Sequence, residues 1–331
     1  MLFKYLALAS TASATCLHGL TKFKRAEGEE VKVGTFGYTA TNGPLNWASL
    51  DPANEACKTG KQQSPINIDD SIALATEAPI LDIPEQKVEF ENLGTTVEVI
   101  VNGTTKFAGT DFRLKQFHVH TPSEHRIGEE YFPLEVHMVH EGVSNPNSLA
   151  VISVLFQMST GTPSPLIKGL LPHVAAIATP GTKTEIESLD FAELINHVQT
   201  TPLFQYTGSL TTPPCAEGLT FLVTKEPLNL DVETYNALKG VVKFNSRYTQ
   251  NVLGEENMIA IAEKSGTEQA VMPKEKVGEK NATTTATPTE TVAAGAEAKG
   301  PFTKGQTLVI TEIQGTPTSM VGVVVKRDWK A

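Results

Sequence analysis

Apolar and polar positions alternate with a period of two along much of the chain between residues 97 and 224, and helical spacing is sparse. Val97–Val101, Phe112–His120, Leu134–Val139, Leu149–Gln157 and Leu219–Thr224 are rich in β-branched and aromatic residues and are expected as strands. In Gln116-Phe117-His118-Val119-His120 the alternation sends Gln116, His118 and His120 to one face, and Phe117 and Val119 to the other. In the run from Leu134 to His140, Glu135, His137 and Val139 share a face, with His140 opposite. Thr184–Thr200 is expected to hold one or two short helices, and Thr234–Lys243 another. The predicted fold is mainly β with short peripheral helices.

The varied, turn-punctuated composition runs from residue 34 to 263 and marks one domain. Residues 264–299, rich in Thr, Ala, Glu, Gly and Lys without apolar periodicity, are expected as a flexible linker. Residues 300–331 carry two β-prone runs, Thr307–Ile313 and Met320–Val325, around Gly315-Thr316-Pro317, and are too interrupted for a membrane anchor. At the other end, Lys4, the apolar run Tyr5–Ala9 and the small residues Ala12-Ser13-Ala14 predict a secretory signal over residues 1–14, cleaved there or a little later. The alternative is a buried first helix. Residues 15–33 then form a leader in which Lys24-Arg25 marks a further processing point. Secretion makes the sequons at Asn102 and Asn281 expected glycosylation sites.

With 40% of its 331 residues hydrophobic, the chain can bury a substantial core. Its formal net charge is −10, with no cluster of Lys and Arg, which argues against nucleic acid or anionic membrane as partners. Of the three cysteines, Cys16 lies beside the expected cleavage point. Cys57 and Cys215 are left as either a bridge or two buried thiols.

The histidines carry the candidate chemistry. Two imidazoles about 7 Å apart on one face of a strand can grip one metal ion. Pro122, Gly128 and Pro133 lie between the two histidine runs and let the second strand return antiparallel, bringing His137 to His118 and His120. Three neutral nitrogens with a fourth position open is a catalytic zinc arrangement. Polar Gln116 and Glu135, each two residues before a ligand, suit the second nitrogen that an imidazole must keep fixed. His125 and His140 are read as structural, and His173 and His197 as surface residues. His118-x-His120-x-x-x-Glu124 also matches the opening of a cupin metal site, but Gly109 and Gly128 are misplaced for it and no Pro-x-Gly-x-x-His follows.

In order along the chain come Tyr38, Asn42-Gly43-Pro44, Trp47, Gln63-Ser64-Pro65-Ile66, Gln116-Phe117-His118-Val119-His120 and Ser123-Glu124-His125. Glu135-Val136-His137-Met138-Val139-His140, Ser209-Leu210-Thr211-Thr212-Pro213-Pro214, Lys225-Glu226-Pro227 and Asn245-Ser246-Arg247 follow. From about Phe36 to Leu253 the sequence resembles the alpha-class carbonic anhydrases, secreted microbial members included. The resemblance implies a large, mostly antiparallel twisted sheet with a metal site at the bottom of a cleft. It implies reversible hydration of carbon dioxide to bicarbonate and a proton by zinc-bound hydroxide.

By the same resemblance His118, His120 and His137 hold zinc, and Gln116, Glu135 and the Asn245 carbonyl orient them. Thr211 accepts from the hydroxide and donates to Glu124, while Val139, Val151, Leu210, Leu219, Phe221 and Thr212 line the substrate pocket. Phe221 stands where a Trp is common. Cys57 and Cys215 pair, bracing the Thr211 loop. Thr95 takes the place where fast members carry a proton-shuttling His, which implies a slower maximal rate rescued by imidazole-type buffers, unless Glu98 relays the proton. The competing reading is a catalytically silent, carbonic anhydrase-like binding module, which would typically have lost a metal histidine.

Overall fold

The two histidine-bearing runs become adjacent central strands in the computed structural model, which describes Leu20 and residues 30–271, with side chains of the last helix to residue 265. The chain divides into two units, Met1–Pro273 and Lys274–Ala331, and all described residues lie in the first. Its strands are β1 (Asn67–Ile68), β2 (Ile80–Asp82), β3 (Gln86–Asn92), β4 (Val97–Phe107), β5 (Thr110–His120), β6 (Arg126–Ile127) and β7 (Glu130–Tyr131). After them come β8 (Leu134–Gly142), β9 (Leu149–Met158), β10 (Lys183–Leu189), β11 (Leu203–Ser209), β12 (Glu217–Thr224) and β13 (Leu228–Leu230). The helices are short: α1 (Trp47–Leu50), α2 (Ala56–Thr59), α3 (Pro165–Leu170), α4 (Ala192–Thr200), α5 (Val232–Val242) and α6 (Met258–Val271).

One ten-stranded sheet runs β10-β3-β4-β5-β8-β9-β12-β11, with β2 beside β4 and β13 beside β9. Pairing is antiparallel except where β12 and β13 meet β9. A small second sheet holds β1, β6 and β7. Both faces of the central strands are covered, so every residue of β8 is buried. One face carries Phe117, Val119, Val136, Met138, Ile152 and Val154 into a core shared with Leu170 of α3, Leu194 of α4 and Leu238 of α5. Val139, Val151, Leu155, Leu219 and Phe221 form a separate cluster. Burying one such side chain stabilises by about 1.5–3 kcal/mol, so the sheet is anchored from both sides.

The register places His118 opposite His137, and His120 opposite Glu135. A bulge between Leu114 and Gln116 interrupts the pairing. Without it Leu114 and Gln116 would share a face. With the extra residue, Leu114 enters the same core as Phe117 while Gln116 stays with the histidines.

The expected helix at the start of Thr184–Thr200 is instead the edge strand β10, paired with β3. A bulge between Ile186 and Leu189 puts both residues in the core three positions apart, which imitates helical spacing. The rest of that window does form a helix, α4. The helix expected at Thr234–Lys243 is α5, capped by Asp231 Oδ1, which accepts from the Thr234 amide at 2.9 Å. The boundary expected at residue 264 falls inside α6, which continues to Val271. The expected signal, Cys16, Lys24-Arg25, most of the linker, Asn281 and the two C-terminal β-prone runs lie outside the described residues.

Candidate metal centre

Strand β5 delivers His118 and His120 and strand β8 delivers His137, and one nitrogen from each ring lies within 4.8 Å of the other two. The other nitrogen of each ring meets an acceptor. Nδ1 of His118 donates to Gln116 Oε1 at 2.9 Å, Nδ1 of His120 to the Asn245 carbonyl at 2.9 Å, and Nε2 of His137 to Glu135 Oε1 at 2.6 Å. A carbonyl or carboxylate oxygen can only accept, so these contacts fix the tautomers and turn a lone pair of each ring toward the common centre. Burial holds His118 well below its ordinary value, lowers His137, and brings His120 down to about 4. Neutral rings with fixed lone pairs are what a metal ion requires.

Glu135 is the keystone of this arrangement. Its Oε1 accepts from His137, from His125 Nδ1 at 2.6 Å and from Ser153 Oγ at 2.5 Å. Its Oε2 accepts from the amides of Glu124 at 2.6 Å and His125 at 2.9 Å. Burial alone would raise this carboxyl, but the facing His125 and His137 rings outweigh it and hold it well below the usual carboxylate range. His125, Glu135 and His137 are also close enough to suggest a second metal group, yet both histidine nitrogens there are already hydrogen-bonded to Glu135.

Glu124 sits against the centre, its carboxylate receiving the Thr211 hydroxyl and the Arg247 amide, the latter at 2.8 Å. Burial pushes Glu124 up to about 7, against the pull of His137, Arg247 and Thr211. Its Oε2 lies 3.4 Å from His120 Nε2, and neither buried atom makes a hydrogen bond. Beside the rings, Val139, Val151, Leu210, Leu219 and Phe221 close into one apolar cluster, with Phe221 5.6 Å from the His137 ring. The Thr211 loop is tied down by a disulfide between Cys57 and Cys215, whose Cα atoms are 5.0 Å apart. Within that loop the Cys215 amide donates to the Thr212 carbonyl at 2.9 Å.

The family model for eukaryotic-type carbonic anhydrases matches residues 42–259. The chain belongs to the alpha carbonic anhydrase family. A fungal alpha carbonic anhydrase from Aspergillus oryzae superimposes with a TM-score of 0.66 at 43% identity, covering 69% of this chain and 98% of that one. A carbonic anhydrase from Pectobacterium atrosepticum is 32% identical over 66% of this chain and 88% of its own length. Dioscorin DB3L from Dioscorea polystachya is 31% identical over 62% of this chain and 76% of its own.

This carbonic anhydrase chain gathers His118, His120, His137, Gln116, Glu135, Asn245, Glu124 and Thr211 around one point. Thr95 stands differently: it is buried, its carbonyl accepts from Asn245 Nδ2 at 3.1 Å, and a Cβ on Gly34 would come within 2.9 Å of its Cγ2. Asn102 is exposed in β4. Neither His173 nor His197 is fully exposed, and His197 Nε2 donates to the Glu226 carbonyl at 2.9 Å. Sequence reasoning missed Tyr206 and Ser153. The Tyr206 hydroxyl lies 2.7 Å from His125 Nε2 and 2.8 Å from Ser64 Oγ, so a polar chain runs from Ser64 to Glu135. Arg247 was visible only as part of a motif. It is buried beneath Trp47, where it donates to the Ser64 and Cys57 carbonyls.

Proposed function

We propose that this chain catalyses the reversible hydration of carbon dioxide to bicarbonate and a proton, with His118, His120 and His137 holding zinc. The carrying observation is the set of three buried imidazoles, each with its second nitrogen held by an acceptor. The fit to a cation is supported by the two neighbouring orphans, His120 Nε2 and Glu124 Oε2. Both are acceptors, and two acceptors side by side call for a cation or a donor. Three imidazoles accept several first-row dications, and the family argues for zinc. When bound, zinc acidifies a water molecule to a nucleophile near neutral pH, chemistry for which carbonic anhydrase is itself the reference example.

The chain's residues do the rest. Thr211 spends its proton on Glu124, so its oxygen can only accept from the nucleophile's remaining proton, which aims the nucleophile's lone pair. Glu124 performs this role as a carboxylate, a form that a nearby dication favours. Val139, Val151, Leu210, Leu219 and Phe221 offer carbon dioxide an apolar wall beside the histidines, with Thr212 next to Thr211. Secretion, and a glycan on Asn102, belong to the same proposal.

Stopped-flow hydration of carbon dioxide tests it. The secreted protein should lose activity when zinc is stripped by a chelator and regain it on re-addition. Inactivity of the folded, zinc-loaded protein would leave the binding-module reading in its place.

A further inference from the structure

A cleft of about 360 Å³ has the buried residues Glu124 and Arg247 in its lining, and none of His118, His120, His137 or Thr211. Four aromatic residues line it too: Tyr131 and Phe244, which are exposed, and Tyr38 and Tyr248, which are half-buried. A concave site of this volume, walled by rings with a few polar groups among them, is the usual form of a small-molecule site. It has room for one ring and its substituent.

The charge comes from Arg126, also in the lining. Arg126 pairs with Tyr131 across β6 and β7, and its guanidinium carbon lies 5.5 Å from the centre of the Tyr131 ring. Among the described residues that guanidinium makes no hydrogen bond and no ion pair. Stacking holds the planar fork in place, so less freedom is lost when a partner binds. Arg247 is only 2% exposed and donates to the Ser64 and Cys57 carbonyls, but its Nε is buried without a partner. A buried donor left over in this way calls for an acceptor. The one carboxylate in the lining, Glu124, already receives the Arg247 amide and the Thr211 hydroxyl. Two guanidinium groups against one engaged carboxylate favour an anion, and a single free fork matches the two oxygens of one carboxylate.

We propose that this cleft binds a small aromatic carboxylate, with Arg126 taking the carboxylate and the ring lying among Tyr38, Tyr131, Phe244 and Tyr248. The site is separate from the three histidines yet shares Glu124 with their surroundings.

Benzoate is the probe, titrated by calorimetry into the zinc-loaded chain, the zinc-stripped chain, and the Arg126→Gln and Tyr131→Ala variants, with folding checked by circular dichroism. One benzoate per chain is expected to bind with a Kd on the order of 100 µM, as suits a ligand of its size. Arg126→Gln should weaken it about tenfold or more, the effect of losing a charged hydrogen-bond partner. Tyr131→Ala keeps the charge and should weaken it several-fold, which preserves the test if Arg126→Gln does not fold. Benzamide and acetate, which lack the charge or the ring, should each bind far more weakly than benzoate. Zinc removal should leave the affinity unchanged. Absence of binding in the millimolar range would overturn the proposal. So would affinity that both variants leave intact, or binding that disappears with zinc, which would put the carboxylate on the metal. Calorimetry reads binding alone, so the result stands apart from carbon dioxide hydration.

Discussion

Glu135 takes five hydrogen bonds on its two oxygens, and through them it sets the ring of His137, the backbone at Glu124 and the buried His125. Its place two residues before His137 was legible from alternation alone. Its hold on Ser153 and His125 was not, because those contacts cross from β9 and from the connection between β5 and β8. Thr95 is legible in the opposite sense, as a residue that lacks a titratable group. A threonine hydroxyl does not exchange protons near neutral pH, so under the proposed function proton export would rely on buffer unless Glu98 relays the proton. The maximal hydration rate should rise with the concentration of imidazole-type buffer while kcat/KM stays unchanged. Buffer-independent turnover in stopped-flow assays would point to another relay.

Between elements, the decisive device is the bulge in β5, which lets Leu114 join the core while Gln116 stays beside His118. A second device is the Cys57–Cys215 bridge, which ties α2 to the Thr211 loop. Gln63 Nε2 reinforces it by donating to the Cys215 carbonyl at 3.0 Å. The bridge spans a sequence separation of 158 residues, and closing so long a loop stabilises by about 5 kcal/mol on the chain-entropy account. Replacing both cysteines by serine should lower the thermal midpoint by on the order of 10 °C, read by calorimetry. Zinc-loaded enzyme that still folds should then hydrate carbon dioxide more slowly, because the loop placing Thr211 has lost its brace.

For the molecule as a whole, acid stability follows from the buried histidines. His140 donates through Nδ1 to the Met138 carbonyl at 2.9 Å, and burial brings it down to about 4 from an ordinary value of 6.5. The unfolded chain binds this proton below pH 6.5, whereas the folded chain resists it until about pH 4. The stabilisation is therefore complete above pH 6.5 and is lost progressively as the pH falls to 4, about 3 kcal/mol from this one group. Urea midpoints of the wild type should fall across that window, and His140→Gln should flatten the fall.

The linear order of residues was enough for the β-rich class, the histidine faces of β5 and β8, and the second-nitrogen partners Gln116 and Glu135, because strand alternation is a local rule. It was not enough for β10, whose bulge gives Ile186 and Leu189 helix-like spacing. Nor could it place Tyr206 against His125, or Ser153 against Glu135. Those are contacts between distant segments, and which segments meet depends on burial and register across the completed sheet.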